Sequence, residues 1–116
     1  MKFLIIDDSQ DFISIVKQIF SGRDDVFCVE CHSVKEALDA IDARQPDVMF
    51  LDHQLGEEGN EGIEIIDKIK DRGIKVYSTT TNAREEYEER RIEVINKWDL
   101  KRFNLIINES CRKELV

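Results

Sequence analysis

The sequence predicts an α/β fold: a doubly wound, five-stranded parallel sheet with helices on both faces. Short apolar runs alternate strictly with helix-spaced apolar residues, the pattern of parallel strands joined by helical crossovers. Two of the runs, Phe3-Leu4-Ile5-Ile6 and Val48-Met49-Phe50-Leu51, are apolar at every position, as strands covered on both faces are. With 116 residues, 41% of them hydrophobic, the chain can bury one core, so residues 1–116 are read as a single domain.

Each element follows from its own signals. Phe3–Ile6 forms the first strand and ends at Asp7. Phe12, Ile15, Val16, Ile19 and Phe20 fall on one helix face, and Ser21-Gly22 ends that helix. Val26–Cys31 is the second strand. Ser33 caps the next helix, with Glu36 at the capping-box position and Val34, Ala37, Leu38 and Ile41 on its apolar face. After a Gln45-Pro46-Asp47 turn, Val48–Leu51 is the third strand and ends at Asp52. A Gly- and Glu-rich loop, Gly56–Gly62, leads to a helix carrying Ile63, Ile65, Ile66 and Ile69, stopped by Asp71-Arg72-Gly73. Ile74–Thr79 is the fourth strand, ending in the hydroxyl cluster Ser78–Thr81, and Ala83–Arg90 forms a short fourth helix.

The last third allows two readings. If Phe103–Ile107 is the fifth strand, only residues 108–116 follow, too few to cover the sheet. If Ile92–Asn96 is the fifth strand, it ends at Lys97. Asp99 then caps an amphipathic helix carrying Leu100, Phe103, Ile106, Ile107, Cys111 and Leu115. The second is preferred, because it completes the final layer.

Composition narrows the function. A net charge of −8 argues against a nucleic-acid or anionic-membrane surface and favours proteins or cations as partners. No apolar run approaches the ~20 residues needed to span a bilayer. The N-terminus carries no signal-peptide pattern. Three cysteines, an odd number, read as reduced thiols of a cytoplasmic protein.

Ligands of doubly wound sheets bind at the carboxyl ends of the strands. There this sequence places Asp7 and Asp8, Asp52, Thr80 and Lys97. Two carboxylates ~4 Å apart repel by roughly 4 kcal/mol at an effective dielectric of 20. Three of them leave at least one protonated unless a cation intervenes. An all-oxygen site suits Mg²⁺ (or Mn²⁺), with Asp8 and Asp52 as direct ligands and Asp7 acting through water. A carboxylate can also attack phosphorus, provided that the phosphoryl oxygens are neutralised, here by a metal on one side and Lys97 on the other. The Thr80 hydroxyl would donate to the transferred group.

These stretches resemble the receiver domains of two-component response regulators. The matching pieces are Phe3–Ser9, Pro46–Asp52, Gly62–Ile66, Thr80 and Lys97, in order along nearly the whole chain. The resemblance implies a flavodoxin-like strand order 2-1-3-4-5. It implies phosphotransfer from the phosphohistidine of a histidine kinase or phosphotransfer protein to Asp52, with at most autodephosphorylation as further chemistry. It assigns Asp7 and Asp8 to the metal, and Gln54 as donor of a backbone carbonyl to it. An unknown downstream protein would read the switch. The sequence departs from the family's pattern at several points. Gly56 replaces the usual Pro after the acceptor, the loop to Gly62 is longer, Thr81 replaces a small Ala and Trp98 a Pro. Val94 stands at the position of the aromatic switch, and the helix before it is short. The usual output coupling is therefore expected to be weak.

Parts of the sequence also fit other readings. Asp7-Asp8 alone also fits a helix cap and first-turn charge. Cys28-Val29-Glu30-Cys31-His32 matches a haem-attachment or zinc pattern, but lies in a strand and lacks further ligands. A flavin carrier would need a neutral, hydroxyl-rich loop where Asp7–Asp11 is acidic. A phosphoaspartate hydrolase would need an acid where Gln54 stands. The main alternative is a pseudo-receiver, a protein-interaction module with the same fold that is not phosphorylated.

Overall fold

The computed structural model describes residues 1–56, 59, 61–80 and 83–115. Thr81, part of the Gly56–Gly62 loop and the Leu115 side chain lie outside the described residues. Five strands and five helices alternate: β1 (Phe3–Asp7), α1 (Gln10–Ile19), β2 (Val26–Glu30), α2 (Val34–Arg44), β3 (Val48–Leu51), α3 (Glu61–Ile69), β4 (Lys75–Ser78), α4 (Arg84–Glu89), β5 (Glu93–Val94) and α5 (Leu100–Leu115). All pairings are parallel, in the order β2-β1-β3-β4-β5, with Phe3 level with both Val26 and Val48.

The continuous apolar runs are explained by the two cores they serve. Successive side chains of a strand point to opposite faces. Phe3, Ile5, Val48 and Phe50 pack with Phe12, Val16, Phe103 and Ile107 on one face. Leu4, Ile6, Met49 and Leu51 pack with Ala37, Ile41, Ile65, Ile69 and Tyr87 on the other. Every side chain of β1 and β3 is buried.

The helix starts follow from local hydrogen bonding. Ser9 caps α1, its Oγ accepting the Phe12 N–H at 3.2 Å, so the cap reading of Asp7-Asp8 is replaced by Ser9. Ser33 caps α2 by accepting the Glu36 N–H at 3.1 Å, and Glu36 Oε1 in turn accepts the His32 N–H at 3.3 Å. Asp99 Oδ1 accepts the Arg102 N–H at the start of α5, as expected.

The fifth strand takes the preferred register but is shorter than Ile92–Asn96. Arg91 lies in the left-handed region (φ 60°), and the Ile92 N–H turns back to the Tyr87 carbonyl at 2.9 Å. Ile92 is thereby held by the end of α4 instead of the sheet. The Ile95 N–H still reaches Ser78 O at 2.8 Å, and Asn96 Oδ1 then accepts the Trp98 N–H to turn the chain. Residues 103–107 are helical, with Phe103 and Ile107 fully buried. Among the described residues, no helix is long and apolar enough to cross a membrane.

Candidate functional site

Strands β1, β3 and β4 and the turn after β5 end at one edge of the sheet, around a cleft of about 450 Å³. Asp8, Asp52, Gln54, Thr79, Thr80, Asn96, Lys97 and Trp98 line it. Asp7 lies beneath, fully buried, with Oδ1 accepting the Ser9 N–H at 2.8 Å. The carboxylates of Asp7, Asp8 and Asp52 offer oxygens that all lie within 4.8 Å of one another.

The electrostatics follow from that crowding. Burial, then the charge of Asp7, pushes Asp52 up to about 7, although Lys97 and the His53 N–H work the other way. Burial also raises Asp7, against the Ser9 N–H and Lys97. The Lys97 ammonium stands 3.3 Å from Asp7 Oδ2 and 3.5 Å from Oδ1. It also lies 5.1 Å from the Phe12 ring centroid and 5.7 Å from that of Trp98. Lys97 therefore reaches the pocket as expected, and in doing so it neutralises the most buried carboxylate. One cation cannot balance three carboxylates, and the all-oxygen donor set fits a hard divalent ion.

The hydroxyl cluster divides. Thr80 lines the cleft and is partly exposed. Ser78 and Thr79 are buried, with the Ser78 hydroxyl close to the Tyr87 phenol. Gln54 lines the cleft, with Nε2 3.5 Å from Gly56 O.

Several supporting residues were not anticipated from the sequence. Glu61, at the start of α3, is buried. Its carboxylate accepts the Leu55 N–H at 3.4 Å and the Gly59 N–H at 3.3 Å, bracing the loop after Asp52. A Cβ on Gly56 would lie 2.8 Å from Glu61 Oε1 and 3.0 Å from the His32 carbonyl, which accounts for a glycine at this departure from the family pattern. His53 and Tyr87 form a buried pair beside Asp52, their Nδ1 and hydroxyl oxygen 2.6 Å apart.

The cysteine motif holds no site. Cys28 packs on the α1/α5 side of the sheet and Cys31 on the opposite side. Burial pushes both thiols up to about 11, away from the thiolate that metals need.

Comparison with known proteins agrees with this architecture. The chain is 30% identical over 94 residues to the transcriptional regulatory protein DesR of Bacillus subtilis (strain 168). The match covers 80% of this chain and 46% of DesR, so the chain spans under half of that relative. A two-component response regulator from Clostridium difficile superposes with a TM-score of 0.76 at 17% identity, covering 98% of each chain. The response regulator TrrA from Thermotoga maritima, in complex with Mg²⁺-BeF, gives 0.70 at 17% identity, covering 94% of this chain and 98% of its own. At these identities the likeness is one of fold. The model of the response regulator receiver domain matches residues 3–105, and with nearly the whole chain so covered, the protein belongs to that family of two-component signalling domains.

Proposed function

We propose that the chain is a phosphoacceptor switch. Asp52 takes a phosphoryl group from the phosphohistidine of a histidine kinase or phosphotransfer protein and passes the signal to a downstream protein. The observation that carries this is the trio of carboxylates within 4.8 Å, with Lys97 beside it and Asp52 held at about 7. The same features weigh against the reading as an unphosphorylated module. Asp7, Asp8, Asp52 and the Gln54 carbonyl would hold Mg²⁺ (or Mn²⁺), and the Mg²⁺-BeF complex of TrrA supports that assignment. When bound, the cation supplies charge neutralisation at the phosphoryl oxygens.

The chain's own residues do the rest. Asp52 contributes a carboxylate oxygen to a new O–P bond as the P–N bond of the donor breaks, its electron pair remaining on the imidazole. Lys97 neutralises Asp7 now, its ammonium 3.3 Å from Oδ2, and it can turn to the incoming phosphoryl oxygens because the residue lines the cleft. The Thr80 hydroxyl donates to the transferred group. Water attack on the acyl phosphate later releases phosphate and restores Asp52. The free thiols of Cys28, Cys31 and Cys111 support a reducing, cytoplasmic setting.

Incubation with acetyl phosphate is expected to add one phosphoryl group by intact mass with Mg²⁺ present and none with a chelator. A mass unchanged under both conditions would sink the proposal.

The raised Asp52 makes cation binding pH-dependent. Below pH ~7 the cation must displace a proton, so apparent Mg²⁺ affinity is expected to fall about tenfold per unit there and to level off above. Trp98, the single tryptophan, lines the cleft and serves as a fluorescence reporter. Equal half-saturation at pH 6 and pH 8 would contradict this.

A further inference from the structure

The short helix α4 buries one residue, Tyr87, and that residue points at the acceptor loop. Its hydroxyl oxygen lies 2.6 Å from His53 Nδ1, and the two rings meet edge to face with centroids 5.4 Å apart. His53 directly follows the acceptor, and it is held at three points. Its ring meets Tyr87. Its N–H donates to Asp52 Oδ1 at 2.9 Å, and its carbonyl accepts the Gly62 N–H at 2.8 Å. Gly62 has no side chain where Tyr87 Oη, His53 Cα and Asp52 O converge, so the tyrosine can reach this far inward. None of these contacts is needed to fill the core: a phenylalanine would pack the same space.

We propose that Tyr87 is a positioning residue for phosphoryl transfer, acting through His53 to fix the plane of the Asp52 carboxylate. The inference rests on the phosphoacceptor reading above. With His53 anchored, its N–H holds Oδ1, and that sets the direction in which the carboxylate meets phosphorus. With acetyl phosphate as donor, an Asp52 O–P bond forms, the acetyl O–P bond breaks, and acetate leaves with the electron pair. Orientation of the attacking group enters the rate of this step directly. The same link joins the acceptor to α4, so the state of Asp52 is felt at that helix without an aromatic at Val94.

Tyr87→Phe keeps the ring and removes the hydroxyl. At saturating acetyl phosphate and Mg²⁺ it is expected to slow phosphoryl uptake about five- to tenfold, the worth of one buried hydrogen bond. The half-saturating concentrations of both should stay unchanged. His53→Phe, which keeps a buried ring without the nitrogen, should slow uptake comparably. In that background Tyr87→Phe should change the rate less than twofold, because the shared route is already cut. Urea unfolding monitors that each variant is folded at the assay temperature. Wild-type rates in Tyr87→Phe, or an equal loss in both backgrounds, would overturn the positioning role while leaving Asp52 as acceptor. No uptake by the wild-type protein would overturn the acceptor reading and this inference together.

Discussion

Asp52→Asn is expected to abolish phosphoryl uptake and, in the absence of a divalent cation, to raise stability at pH 8. The first effect follows from removing the only oxygen nucleophile proposed here, with a loss on the order of 10³-fold or more. The second follows from linkage. Folding raises Asp52 from its ordinary 3.8 to about 7, chiefly through burial and then the charge of Asp7. Between those values the folded state holds a proton that the unfolded state has lost, so stability falls as pH climbs from 3.8 to 7 and stays low above. Unscreened, the shift is worth about 4 kcal/mol; water reaching this part-buried carboxylate leaves roughly half of it. An uncharged Asn escapes the penalty, so the variant should melt higher by about 2 kcal/mol, some 5–10 °C, at pH 8. The gap should close toward pH 4. Saturating Mg²⁺ should narrow it from the other side by stabilising the wild-type protein. Intact mass after acetyl phosphate treatment reads the first effect and thermal melts at two pH values read the second. Undiminished uptake by the variant would remove Asp52 from its assigned role.

Gly62→Ala is expected to cost about 3 kcal/mol of stability, at the upper end of overpacking. The added Cβ would stand 2.8 Å from His53 Cα and 2.9 Å from the Asp52 carbonyl, with Tyr87 Oη also in its way. Two of these three neighbours are main-chain atoms, so relief requires shifting the segment that carries the acceptor, not rotating a side chain. Phosphoryl uptake should therefore fall at least about tenfold as well. Gly22→Ala is the control: nothing lies within 4 Å of its Cβ position, and a change within about 0.5 kcal/mol is expected. Urea unfolding of the two variants beside the wild type measures both. If Gly62→Ala unfolds with the wild-type midpoint, the close packing around Asp52, His53 and Tyr87 is wrong.

The sheet and the residues at its carboxyl edge were legible in the sequence because their signals are local. A strand buried on both faces must be apolar throughout, and both β1 and β3 are. In a parallel sheet every strand ends at the same edge, so Asp7, Asp8, Asp52 and Lys97 were placed together by knowing where the runs stop. The amphipathic spacing from Leu100 onward chose between two registers for the fifth strand, and α5 follows it.

What remained hidden depends on contacts between distant segments. Nothing near Lys97 in the chain shows that its ammonium sits on Asp7, ninety residues away. The length of β5 was overestimated, since Ile92 is drawn off by the Tyr87 carbonyl. Nor could spacing reveal that Ser78 and Thr79 are buried while Thr80 is partly exposed at the cleft. Glu61 fell within the Gly- and Glu-rich loop of the sequence reading and is instead a buried brace at the start of α3. Tyr87 lies within a run of charges from Glu85 to Arg91, yet it is fully buried against His53. By itself the sequence determined the layers, the order of elements and the residues at the carboxyl edge of the sheet, because hydrophobic periodicity and strand direction are properties of short segments. Only the tertiary structure decided the pairings of Lys97 with Asp7 and of Tyr87 with His53, and the raised pKa of Asp52. Each depends on how closely separate elements approach and how much water they exclude, and neither quantity is written in any one stretch of chain.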